Sequence, residues 1–209
     1  FKEVLEKDYL EDVTVHETIE FHQAFEGIIE TCKNKDIDLI VMGSHGVSGL
    51  KEMFIGSNTE KVVRTSKIPV LVIKNKHSNF DVDNFVFASN FKPNNKKTYL
   101  QAVKLAKAFE SELHLVLVNT ANNFITTEVA NKRISEFIKD SGYERITTSI
   151  YNDESIEKGV LNYAQSINAD LIGIGTHGRQ GIAHFFNGSI SEDLVNHAKR
   201  PVVTFKINK

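Results

Sequence analysis

The chain contains the same sequence twice. Asp38-Leu39-Ile40-Val41-Met42-Gly43-Ser44-His45-Gly46 returns as Asp170-Leu171-Ile172-Gly173-Ile174-Gly175-Thr176-His177-Gly178. Gly56-Ser57 returns as Gly188-Ser189, and Lys67-Ile68-Pro69-Val70-Leu71-Val72-Ile73-Lys74 as Lys199-Arg200-Pro201-Val202-Val203-Thr204-Phe205-Lys206. Asp38 to Asp170, Gly56 to Gly188 and Pro69 to Pro201 are each 132 positions apart. Chance similarity would not keep one register through three separate blocks. The chain is a duplication, and any fold assigned to one copy must suit the other.

The register also sets expected boundaries. Phe1 aligns with Arg133, so the stretch from Asn84 to Lys132 has no counterpart in the first copy. On the assumption of equal lengths, the first copy is expected to lack about 48 residues at its N-terminus. The expected organisation is the C-terminal part of a first domain over 1–76, a polar linker over 77–83, and a complete second domain over 84–209.

Within the second copy, strand and helix patterns alternate. Phe85–Ala88, Leu113–Val118, Arg145–Ile150, Leu171–Gly175 and Val202–Phe205 read as strands. Lys97–Glu110, Glu128–Lys139, Glu154–Ile167 and Ser191–Ala198 carry apolar residues at helical spacing. Parallel neighbours need a crossover, so this alternation predicts βαβ units in an open, five-stranded, mostly parallel sheet with helices on both faces. The first copy offers a strand near Val13–Val15, a helix over Phe21–Lys33, strands Leu39–Met42 and Val70–Ile73, and a helix over Thr59–Ser66. The last strand of such a sheet is an exposed edge, so Val70–Ile73 and Val202–Phe205 are expected to cover each other in an internal pseudo-dimer, or to pair in a homodimer.

In both copies a glycine loop follows a buried strand and opens a helix: Gly43-x2-Gly46-x9-Gly56-Ser57 and Gly175-x2-Gly178-x9-Gly188-Ser189. Glycine lets backbone N–H groups turn inward around a phosphate, and the helix start adds free donors and a positive dipole end. Ser57 and Ser189 are placed to cap the helix or to offer a hydroxyl. A tight turn alone would also use glycines, but the long spacing held in two copies favours phosphate. No GK[ST] follows, so this is not a Walker loop. Gly173-x-Gly175-x-x-Gly178 matches the dinucleotide fingerprint only on paper, because it follows the fourth strand of its repeat and not the first.

Taken together, a DLIVMGSHG-type strand, the Gly-x2-Gly-x9-Gly-Ser loop and a PVLVIK-type last strand resemble the universal stress protein family, its tandem members with the ATP motif in particular. The resemblance implies strand order 3-2-1-4-5, domain pairing through the last strand, and binding of ATP, with Mg²⁺ as a possible companion. It assigns the phosphates to Gly175, Gly178, Gly188 and Ser189 in the second copy, and to Gly43, Gly46, Gly56 and Ser57 in the first. It places Asn90 near the ribose, where the family has an Asp, and Leu117 against adenine. Asn carries no charge and is a poorer partner for a bound cation. Lacking its first and second strands, the first copy is expected to supply only the phosphate half of a site.

Other features bound the function. A net charge of −2, with acids and bases interspersed, argues against a nucleic-acid face. No apolar run approaches membrane-spanning length, and a cytoplasmic, stress-responsive sensor or adaptor is expected. Cys32, the single cysteine, reads as a small buried residue. His45 and His177 sit in the loops and are read as structural; His16, His22, His114 and His184 show no metal spacing. Asp38 and Asp170 read as surface polarity before a strand. Met53-Phe54 and Phe185-Phe186 are expected to pack under the loops. No nucleophile–base pair is evident, so a binding protein is favoured over a slow ATP phosphohydrolase, and a nucleotide-free dimerisation or interaction module stays open.

Overall fold

The computed structural model describes residues 5–19, 23–44, 56–75, 80–139, 141–176 and 190–207. The second copy alternates throughout: β3 (Asn84–Ala88), α3 (Lys96–Phe109), β4 (Glu112–Asn119), α4 (Thr127–Ile138), β5 (Ile146–Asn152), α5 (Ile156–Ser166), β6 (Leu171–Thr176), α6 (Ile190–His197) and β7 (Val202–Lys206). The first copy contributes α1 (Ala24–Asn34), β1 (Ile40–Gly43), α2 (Ser57–Thr65) and β2 (Val70–Ile73). Local chemistry sets the ends. Thr126 and Ser155 cap α4 and α5 by accepting from the N–H groups of Val129 and Lys158. Glu110 closes α3 in the left-handed region, at φ 56°.

All seven strands form one sheet in the order β1-β2-β7-β6-β3-β4-β5. Every neighbouring pair is parallel except β2 and β7, which run antiparallel. Counted within the second copy the order is 3-2-1-4-5, a doubly wound sheet. The last strands of the two copies therefore lie side by side, and neither is left as an open edge.

Right-handed crossovers sort the helices onto two faces. On one face α3 and α4 pack Tyr99, Val103, Ile134 and Phe137 onto Phe85, Phe87, Leu115 and Phe205. On the other, α1, α2, α5 and α6 share a second core in which Val62 and Val63 join Val160, Leu194 and Val195. Both copies thus feed one core on that side. β4 is buried almost along its length, while β5, at the sheet edge, has three exposed positions.

Two expectations are corrected. Residues Val13 to Val15 form no strand; Val13 and Val15 are 54% and 43% exposed. A strand is stable only with a hydrogen-bonded neighbour, and no described strand lies beside this segment. Cys32 is half-buried rather than buried, and its partial burial raises the thiol pKa.

Candidate functional site

The site is built by one strand stopping short. β3 pairs with β4 and β6 only as far as Ala88, opposite Val116 and Ile174. Beyond that, β4 runs on to Asn119 and β6 to Thr176. Here the strand order reverses, because α3 leads away on one side and α5 and α6 on the other. In open α/β sheets this switch point, at the C-terminal ends of the strands, is where ligands enter.

Alternation along β4 decides which groups face the crevice. Glu112 N–H donates to Asp83 and the Val116 carbonyl accepts from Ser89 N–H, so even positions face β3. Leu113 N–H donates to Arg145 and the Asn119 carbonyl accepts from Asp153 N–H, so odd positions face β5. Val118 therefore points its backbone past the end of β3, into the crevice. Leu117 turns its backbone to β5, and its side chain, 3% exposed, lies in the core beneath α3 and α4. Sequence reasoning named Leu117, whereas the backbone that faces the crevice is that of its neighbour Val118; the period of two along a strand was the available signal.

At the tip of β3, Asn90 is exposed, and its Oδ1 accepts from Lys92 N–H at 3.0 Å and from Asn95 Nδ2 at 2.7 Å. Asn95 is buried. The next residue, Phe91, has φ 50°, a left-handed conformation uncommon for an aromatic residue. It is held there by burial and an edge-on contact with Phe137, ring centroids 5.2 Å apart. The turn carrying Asn90 is thus fixed from below, and its carbonyl oxygen is already engaged.

Next to the crevice lies a cleft of about 260 Å³, lined by Thr120, Asn122, Ser155, Glu157 and Ile190 among others. Asn119 shapes one wall: its Nδ2 donates to the Ile125 carbonyl at 3.0 Å and its Oδ1 accepts from Ile125 N–H at 3.2 Å. The first turn of α5 lines this cleft through Ser155–Glu157, and Ile190 of α6 borders it. The N-terminal end of α5 carries the positive end of its dipole here, an arrangement that favours an anion. The carboxylates at the rim are partnered. Glu157 Oε1 meets His197 Nδ1 at 2.5 Å, and Glu154 meets Lys158.

Of the motif glycines, Gly175 belongs to β6 beside the crevice, and Ile207 covers it so closely that a Cβ there would lie 2.8 Å from Cδ1. Gly178, Gly188 and Ser189, like Gly46, His45 and His177, lie outside the described residues, as do Met53-Phe54 and Phe185-Phe186. In the first copy Gly43 ends β1 and Gly56 precedes α2. Gly56 N–H donates to the Ser44 carbonyl at 2.7 Å, and Thr59 Oγ1 to the Gly43 carbonyl at 3.0 Å, which brings the two ends of that loop together. Ser57 does not cap the helix: Gly56 occupies the N-cap position and Ser57, the first helical residue, is exposed.

His114 has a structural role that its spacing did not reveal. It is buried, its Nε2 lies 3.1 Å from Asn84 Oδ1, and burial holds its pKa below the ordinary 6.5 against an upward pull from Glu112. Asp170 accepts from the N–H groups of Asp83 and Asn84, at 3.0 and 2.9 Å, and so fastens the start of β3 to β6. Its repeat counterpart Asp38 meets Lys104, at 2.6 Å on the surface.

A doubly wound sheet with a crevice at its switch point and a helix start at the rim defines an open α/β protein of the doubly wound class. The family model described as the Universal stress protein family matches residues 2–74 and 82–206, and the chain belongs to that family. It is similar to universal stress protein MJ0577 of Methanocaldococcus jannaschii, 43% identical over 74 residues, which are 34% of this chain and 46% of that protein. It is also similar to the crystal structure of a universal stress protein from Archaeoglobus fulgidus, at 27% identity and TM-score 0.66, covering 88% of this chain and 66% of that one. A universal stress protein solved in complex with cAMP shares the fold at TM-score 0.53 and 16% identity, covering 61% of this chain and 99% of that one. The matched part is thus about half of the first relative and two thirds of the second. Among the described residues no helix is long and apolar enough to cross a membrane.

Proposed function

We propose that this chain binds an adenine nucleotide, ATP by its motif, where β3 ends between β4 and β6, and works in the cytoplasm as a sensor or adaptor. The observation that carries this is the crevice at the switch point with the N-terminus of α5 beside it. In this reading Gly175, Gly178, Gly188 and Ser189 surround the phosphates, Asn90 lies near the ribose, and adenine takes backbone hydrogen bonds from β4 next to Leu117, at Val118. A protein of the same fold has been solved with cAMP, so the architecture accommodates an adenine ring. The first copy offers a half-site at Gly43, Gly46, Gly56 and Ser57, and the domain limits 1–76 and 84–209 follow the repeat. A Mg²⁺ would be held mainly by the phosphates, since Asn90 contributes no charge.

Calorimetric titration of the intact chain with ATP, with and without Mg²⁺, tests the proposal. Absence of binding at millimolar nucleotide ends it.

One observation favours a second reading, a nucleotide-free interaction module. Asn90 Oδ1 already accepts two hydrogen bonds, and the last strands already pair within the chain. Purified protein that releases no adenine absorbance on denaturation, and takes up none when nucleotide is supplied, would select it. A slow phosphohydrolase would instead show turnover that falls when Gly188 is replaced.

A further inference from the structure

Lys74 directly follows β2 and Lys206 ends β7, and each lysine reaches into the other copy. Lys74 Nζ donates to the Asn196 carbonyl, and Lys206 Nζ donates to the Arg64 carbonyl at 3.1 Å. Lys74 and Lys206 are 132 positions apart, and so are Arg64 and Asn196. The two contacts are one interaction made twice. Each acceptor is the next-to-last residue of its copy's final helix, Arg64 in α2 and Asn196 in α6. The last carbonyls of a helix lack intrahelical partners and carry the negative end of its dipole, so an ammonium there is both donor and counter-charge. Both lysines are half-buried, and burial lowers their pKa values from 10.5.

We infer that Lys74 and Lys206 are crossed positioning residues: each holds the C-terminal end of the other copy's last helix and thereby sets the phosphate-binding end of that helix. The consequence for binding rests on the nucleotide reading above. The described α6 runs eight residues from Ile190, so Lys74 acts across about 12 Å of helix without touching ligand. In the other direction, Lys206 pairs with Thr176, and its neighbour Ile207 covers Gly175. A continuous run of contacts therefore links the first glycine of the second loop to α2, which opens the first copy's Gly56-Ser57. A rigid helix transmits a displacement from end to end, so α2 and α6 are set together with the last strands of the opposite copies.

Amide hydrogen exchange on the intact chain tests the crossing without any ligand. Lys74→Met keeps the aliphatic stem and removes the donor; it is expected to speed exchange in α6 about threefold to tenfold and to leave α2 unchanged. Lys206→Met is expected to do the reverse, and Lys74→Arg to restore the wild-type pattern. Where Met impairs folding, Lys74→Gln serves the same comparison. Exchange that rises equally in both copies, or in the copy that carries the substitution, overturns the inference. Titrations with AMP and adenosine add the link to the site: Lys74→Met should weaken AMP about threefold to tenfold and leave adenosine unchanged. AMP affinity equal to wild type overturns the positioning role. If wild type binds neither AMP nor adenosine, the ATP titration above decides the nucleotide reading, and the crossed exchange pattern alone decides the lysines.

Discussion

Leu71 of β2 stands opposite Val203 of β7, and the two are 132 positions apart, the offset of the repeat. The flanking pairs, Val70 with Thr204 and Val72 with Val202, are mirrored around them. A pseudo-two-fold axis therefore passes between Leu71 and Val203. Both side chains lie in the core under α3, at 3% and 0% exposure. An axis perpendicular to the sheet keeps equivalent residues on the same face, which is why α2 and α6 share one core and their lysine contacts cross.

The axis relates Asp38 to Asp170, yet their surroundings differ and so should their mutants. Asp170→Ala removes two charge-assisted hydrogen bonds to the start of β3 and is expected to cost about 1–2 kcal/mol. Asp38→Ala breaks a pair whose side chains are 74% and 79% exposed, and should change stability by less than about 0.5 kcal/mol. Urea unfolding of the two variants measures the difference; equal costs would contradict the assigned roles.

Gly173 and Gly175 are neighbours on β6 with different constraints. A Cβ on Gly173 would lie 2.8 Å from Phe85 Cε2 and 3.1 Å from Phe205 Cε2, rings with no room to move in the core. Gly173→Ala should cost about 1–3 kcal/mol. At Gly175 the obstacle is the far end of Ile207, which can rotate away, so Gly175→Ala should cost less than about 1 kcal/mol. A fall in nucleotide affinity with nearly unchanged urea midpoint would assign Gly175 to the ligand.

His114 predicts an acid-side loss of stability. Its folded pKa lies below the 6.5 of the exposed group, so below that pH the unfolded chain binds the extra proton first. The contribution is complete above pH 6.5 and declines as pH falls from there toward the folded pKa. Urea titrations between pH 7.5 and 5 should show a shallower dependence in His114→Gln than in wild type. An unchanged slope would show that His114 is not the group responsible.

Much of the fold was legible because its signals are local. Buried parallel strands read as apolar runs, helices as a 3.6-residue period, and each element lies within a few residues of its expected place. Val13–Val15 failed because strand propensity means little without a neighbour to pair with. Beside the crevice, the motif pointed to Gly175 and Asn90, whereas the orientation of Val118 had no motif, because which strand groups face a crevice depends on where an adjacent strand stops. Asn95, which engages Asn90, left no signal, since the contact depends on the left-handed turn at Phe91.

By itself the sequence determined the duplication, the alternating α/β elements, the 3-2-1-4-5 order through its resemblance, and the spacing of both glycine loops. All of these are properties of position along the chain. Tertiary structure alone decided the partners of equivalent residues. Asp170 has a first strand to hold and Asp38 has none beside it; Lys74 and Lys206 find their acceptors in the opposite copy. Such contacts depend on how two distant segments meet, and identical local sequences meet different neighbours once the copies around them differ.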